Sequence, residues 1–148
     1  MSSCARLRLP LLALVLARVL VACADDAGGM HCDEEMPDCV ATLPATYDAI
    51  YDQLLSQSCG ASGTGGSCHG PAGMQGGLVL LGREDAYRYL LGDAGGHARV
   101  VAGSPSCSLL MQRLDADDAS YRMPRGAAKL SEGMRCAVRQ WIAKGAER

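Results

Sequence analysis

This 148-residue chain contains no Phe, a single Trp and only three His, while 18 of its residues are Gly. A core assembled without Phe must be modest in volume, and so many glycines imply long loops between its elements. Long apolar runs are also scarce. The longest, Leu9 to Ala17, covers about nine residues, roughly half the ~20 that a membrane-spanning helix requires. No basic stripe is present, which excludes a nucleic-acid surface, because phosphate binding needs clustered Lys and Arg. The loop Gly60 to Ser67 lacks the Lys and following hydroxyl of a phosphate-binding loop, and no Ser-His-Asp or Cys-His nucleophile pattern stands out. The reading is therefore of a protein that is not an enzyme by itself.

Cysteine is what the chain has in quantity: eight residues, which for a small domain points to covalent or cofactor support in an oxidising compartment. The N-terminus explains how they reach one. Arg6 and Arg8 form a basic region, Leu9 to Ala17 an apolar one, and Leu20-Val21-Ala22-Cys23 matches a bacterial lipobox. This resembles a lipoprotein signal peptide over residues 1–22, with Cys23 lipidated after cleavage and the protein exported, anchored by lipid and facing the periplasm or cell surface. An ordinary secretory signal with Cys23 as a spare thiol is the alternative. Cleavage leaves 11 basic against 16 acidic side chains, a net charge of −5.

Residues 23–44 are acidic and aperiodic and read as a flexible tether, in which Cys32 and Cys39 could close a short loop. His31 beside Cys32 reads as solvent-exposed, since one His and two thiols make a poor metal site. Residues 45–148 carry the folded domain. Tyr47, Ile50, Tyr51, Leu54 and Leu55 recur at helical spacing and predict a first helix over 45–57, delivering Cys59 to the glycine-rich loop. The run Leu78 to Leu81 is expected to lie extended against the core. A short helix is predicted over 83–91, broken by Gly92 to Gly96. Ser104-Pro105 reads as an N-cap followed by Pro at the first helical position, opening a helix to about Leu114 with Leu109, Leu110 and Leu114 inward. Asp115 to Lys129 is a polar loop whose carboxylates Asp115, Asp117 and Asp118 read as a solvated face. The last helix opens at Leu130-Ser131, buries Met134, Val138, Trp141 and Ile142, and stops at Gly145. The expected fold class is all-α, with about four helices and long loops.

Cys59, Cys68-His69, Gly76-Gly77-Leu78, Val100 to Gly103 with Ser108-Leu109, Met123-Pro124 and Trp141 to Ala146 occur in the order seen in a family of exported bacterial cytochrome c domains. The chain resembles these planctomycete-type and myxobacterial lipoprotein cytochromes over roughly residues 45–146. The resemblance implies one covalent haem c: thioether bonds from Cys59 and Cys68, iron ligated by His69 on one side and by Met123 on the other. Pro124 would stiffen the ligand loop, and Trp141 would cover the haem edge or pack on the first helix. It implies an electron-transfer role, with a redox protein as partner and the membrane reached through the lipid anchor.

The usual haem motif is Cys-x-x-Cys-His, whereas eight residues separate Cys59 from Cys68. Loop-closure entropy charges only about 1 kcal/mol for stretching the separation from three to nine positions, so reach is no obstacle. Attachment through Cys68 alone is an intermediate possibility. Two other readings of the same residues stand beside haem: a Cys59–Cys68 disulfide on a scaffold that has lost haem and serves as a binding or structural module, and a metal such as zinc, whose usual cysteine-pair spacings are absent. His97 is a second candidate for the distal ligand. With Cys23 lipidated, Cys32, Cys39, Cys107 and Cys136 remain as disulfide candidates, and a Cys107–Cys136 bridge would join two helices.

Overall fold

A computed structural model describes residues 37–60, 68–94 and 96–148. The proposed signal peptide, Cys23, His31 and Cys32 lie outside the described residues, as do most of the tether and all of the Gly60 to Ser67 loop after Gly60. Four helices and no strand occur among the described residues, so the domain is all-α. None of these helices is long and apolar enough to cross a membrane.

Helix α1, Tyr47–Ile50, is capped by Thr46, whose hydroxyl accepts from the Ala49 N–H at 3.4 Å. It runs on as a π-helix over Tyr51–Cys59, two residues further than its apolar spacing predicts. The wider turn has local support. The Asp52 carbonyl accepts from the Gln57 side chain at 2.6 Å and from the Ser56 hydroxyl at 3.3 Å, contacts of the kind that loosen an α-helical ladder.

Helix α2, Arg83–Leu91, sits between two punctuating glycines, Gly82 and Gly92, both at positive φ. At Gly92 a Cβ would also meet the Ala98 nitrogen at 2.9 Å, so both conformation and close approach demand glycine there. Helix α3, Leu109–Asp115, starts later than the Ser104-Pro105 signal suggests. Ser108 takes over the start because its hydroxyl accepts from the Val101 N–H at 2.8 Å and donates to the Ser104 carbonyl at 2.9 Å, holding residues 101–108 in a folded turn. The buried face also differs from the expected one. Met111 and Leu114 are buried, whereas Leu109, expected inward, is exposed.

Helix α4, Glu132–Ala143, begins at Ser131, whose hydroxyl accepts from the Met134 N–H. It ends in a Schellman arrangement: the Gly145 N–H bonds the Ile142 carbonyl, and the Ala146 N–H bonds the Trp141 carbonyl, both at 3.0 Å. Its buried face packs Val138, Trp141 and Ile142 into the core, with Met134 half-buried. Trp141 packs on the first helix, 5.7 Å from the Tyr47 ring, and donates its indole N–H to the Glu147 carbonyl. With few aromatic residues available, the core concentrates them here, with Tyr87 edge-on to Tyr47 at 4.9 Å.

The disulfides differ from the expected pairs. Cys39 is bonded to Cys136, so neither the Cys32–Cys39 nor the Cys107–Cys136 bridge forms. Cys107 is disulfide-bonded as well. The physical reason lies in the packing of the segment before α1 against α4: the Thr42 N–H donates to the Gly133 carbonyl at 3.1 Å, and a Cβ on Gly133 would strike Thr42. This places Cys39 over the N-terminal half of α4 and withdraws residues 39–44 from the predicted tether. Asp115 also departs from the solvated face assigned to it. It is half-buried and pairs with Arg135 and with Arg139, the latter at 3.1 Å, while Asp117 and Asp118 stay exposed.

Candidate functional site

The long spacer between the two cysteines is closed at its base by the backbone. The His69 N–H donates to the Cys59 carbonyl at 3.2 Å, which brings the two ends of the loop side by side. On the other flank the Leu80 N–H donates to the His69 carbonyl at 2.6 Å, and the Gln75 N–H to the Cys68 carbonyl at 2.9 Å. Leu78, Val79 and Leu80 are buried and extended, as their apolar run predicts, and they serve as the wall on which His69 is hung. Gly60 permits this closeness, since a Cβ there would lie 2.6 Å from the Leu80 carbonyl oxygen.

Cys59, Cys68, His69 and Met123 line one cavity of about 670 Å3, within the range of small-molecule and cofactor sites. Four helical or extended elements meet around it. Leu54 and Leu55 come from the π-helical segment, Leu78 and Leu80 from the extended run, Leu114 from α3 and Val138 from α4. Met123 is carried in by the loop after α3, where its N–H donates to the Arg113 carbonyl at 2.8 Å. Pro124 lines the same cavity. His97 does not; it is exposed, and its carbonyl is occupied by Arg99.

Two features bear on what the cavity can hold. Cys59 and Cys68 are not in a disulfide, which removes the expected staple of the haem-free reading. Burial, with a smaller contribution from Cys68, pushes the Cys59 thiol up from 9.0 to about 11, so it stays protonated at neutral pH. Burial also holds His69 below the usual histidine value of 6.5, against the pull of the Leu78 and Gln75 carbonyls, and so favours the neutral imidazole that can ligate a metal. Its Nδ1 is buried without a hydrogen-bond partner among the described residues. A buried polar atom left unpaired is costly unless a ligand meets it.

The arrangement suits a large group better than a bare ion. Among the described residues no three His, Cys, Asp or Glu side chains converge to hold a metal, whereas sulfur and imidazole donors are distributed around an apolar space. Thiols, imidazole and thioether in an apolar cavity are the donor set of a covalently held, axially ligated haem. The residues present fit that group.

Arginines are the part of the site that sequence reasoning missed. Arg99, Arg113 and Arg125 line the cavity, and among the described residues no Asp or Glu does. Arg99 is buried, and its guanidinium donates to the carbonyls of Tyr89, His97, Gly76 and Gly77. It therefore fixes the turn Gln75–Gly77 next to the site.

Residues 66–125 match the family described as Planctomycete cytochrome C. The matched stretch contains Cys68, His69, Met123 and Pro124; Cys59 and the C-terminal Trp141 to Ala146 lie beyond it. No curated protein and no solved structure matches the chain.

Proposed function

We propose, on the premise that the chain carries a planctomycete-type cytochrome c-like domain, that it is a mono-haem electron carrier, exported and held at a membrane through Cys23. The observation that carries this reading is the meeting of Cys59, Cys68, His69 and Met123 around one cavity, despite a separation of more than fifty positions between His69 and Met123.

When bound, haem supplies an iron that accepts and returns one electron. Cys59 and Cys68 would hold the group through their sulfurs as thioethers. His69, which burial biases toward the neutral imidazole, would offer a ring nitrogen to the iron. Met123 would offer its thioether sulfur, which would raise the potential relative to a second histidine. Leu54, Leu55, Leu78 and Leu114 exclude water from the site and lower the local dielectric. The partner is then a redox protein that exchanges single electrons, and the chain itself catalyses no reaction.

The test is to produce the full chain in a host with haem-attachment machinery and record its visible spectrum in both oxidation states. A Soret band that persists after denaturation, with reversible one-electron reduction, is the expected result. A colourless protein would return the chain to the reading of a disulfide-bonded binding module.

A further inference from the structure

Cys107 is disulfide-bonded, yet none of the other described cysteines is its partner. Cys39 and Cys136 hold each other, while Cys59 and Cys68 are free. Of the chain's eight cysteines this leaves Cys4, Cys23 and Cys32, all before the first described residue, Pro37. Cleavage of the signal peptide removes Cys4, and lipidation occupies the Cys23 sulfur. Cys32 is the thiol that remains.

The described geometry puts Cys107 within its reach. Cys39 is fixed on α4 through Cys136, and its carbonyl accepts from the Gln140 side chain at 3.3 Å. The turn carrying Cys107 is tied to the same helix nearer its C-terminal end, where the Gly103 N–H donates to the Ile142 carbonyl at 2.8 Å. Six positions separate Cys136 from Ile142, a rise of about 9 Å on a helix about 10–12 Å across. The seven positions from Cys32 to Cys39 extend to about 24 Å, enough to cover that rise and cross the helix. Pro105 and Ser108 are buried, and the Ser108 hydroxyl holds the turn, while Cys107 between them stays half-exposed and open to an incoming thiol.

We propose that Cys32 is bonded to Cys107, so that residues 32–39 form a strap clipped at both ends and the 101–108 turn becomes the membrane-facing side of the domain. The two thiols give up two protons and two electrons to a protein disulfide of the exporting compartment, which is reduced to two thiols; Cys39–Cys136 has the same requirement. The inference rests on the lipid-anchored reading and deepens it. Counted from Cys39, the lipid on Cys23 hangs from sixteen positions, roughly 55 Å of extended chain; counted from Cys32 it hangs from nine, roughly 30 Å. The shorter reach is about the width of a domain of roughly 100 residues, so one face is held toward the bilayer. The strap also moves the anchor along α4. Lys129 precedes that helix and Lys144 follows it, about 18 Å apart along its axis, and they are the chain's two lysines. Cys39 alone would draw the Lys129 end to the membrane, whereas Cys107 draws the Lys144 end.

The pairing is tested on the full chain from an exporting host, with free thiols blocked in denaturant and the protein digested unreduced by trypsin and Asp-N. Asp-N cuts before Asp25, Asp33 and Asp38 and so separates Cys23, Cys32 and Cys39. The expected peptide masses join Cys107 to Cys32, with Cys23 acylated. Cys107 found free or joined elsewhere beside an acylated Cys23 would overturn the strap and leave the anchor standing. A Cys23–Cys107 bridge would overturn both, because one sulfur cannot carry lipid and disulfide together. Orientation is read in phosphatidylethanolamine vesicles with a short amine-to-amine crosslinker, each lysine's lipid adduct being normalised to its labelling by a soluble acylating reagent. Lys144 should exceed Lys129 severalfold, and the Cys32→Ser/Cys107→Ser variant, which keeps Cys39–Cys136, should lose that excess. Equal adducts in the unaltered chain, or an excess that survives in the variant, would overturn the orientation. Neither readout depends on haem, whose Soret band is recorded separately.

Discussion

The Cys39–Cys136 bridge closes a loop with a sequence separation of 97, and its removal should cost a large part of the domain's stability. In the chain-entropy account a loop of that size restricts the unfolded state by about 4.7 kcal/mol at 25 °C, whereas the seven-residue separation of Cys32 and Cys39 would be worth only about 2.4. Measured disulfides usually deliver somewhat less, so the double variant Cys39→Ala/Cys136→Ala should lose about 3–5 kcal/mol in urea unfolding. Its m-value should rise, because a chain freed of the bridge exposes more surface when it unfolds. The two single variants supply the sharper test. Either one breaks the same bond, so each should cost nearly as much as the double, and the two effects should be far from additive. Additive single effects, or a double variant within about 1 kcal/mol of the parent, would refute the pairing and with it the packing of residues 39–44 on α4.

Gly60→Ala should destabilise the domain by about 1–3 kcal/mol, read from the urea midpoint, because its Cβ would press on the Leu80 backbone 2.6 Å away and backbone cannot swing aside. An unchanged midpoint would mean that Cys59 is not seated against the extended run. In the haem-free protein at pH 8, iodoacetamide should modify exposed Cys68 well before Cys59, as read by peptide mass. Labelling of Cys59 should rise about tenfold per pH unit towards its value of about 11. The linked stability has a definite sign. The folded state holds the Cys59 proton more tightly than the unfolded chain, so its contribution is complete below pH 9 and is lost as the pH rises through about 11.

Where a sequence signal had a local cause, it survived into the structure. Gly92 stops α2 as expected, and Ser131 and Gly145 cap and stop α4, because capping is decided by the nearest few residues. The start of α3 was misjudged for a reason of the same scale: Ser104-Pro105 and Ser108 are both competent starts, and the Ser108 hydroxyl settles the choice by bonding back to Val101 and Ser104. Disulfide pairing was not legible, since connectivity depends on how distant segments pack rather than on spacing. The grouping of Cys68, His69 and Met123 was carried by motif order. The spacer that made Cys59 doubtful by pattern is bridged by a single backbone hydrogen bond from His69, a contact no motif encodes. Arg99 and Arg113 left no signature because an isolated arginine reads the same on a surface as beside a cavity.

The proposed function requires Cys59, although nine positions from Cys68, to hold the same haem. Intact-mass and peptide-mass analysis of the denatured full chain, produced with haem-attachment machinery, tests it directly. The expected result is the mass of one added haem, with a single haem bridging the peptides that contain Cys59 and Cys68. Cys59→Ala should leave haem attached through Cys68 alone. An unmodified mass would contradict the haem assignment, and a haem that never engages Cys59 in the unaltered chain would contradict the double attachment.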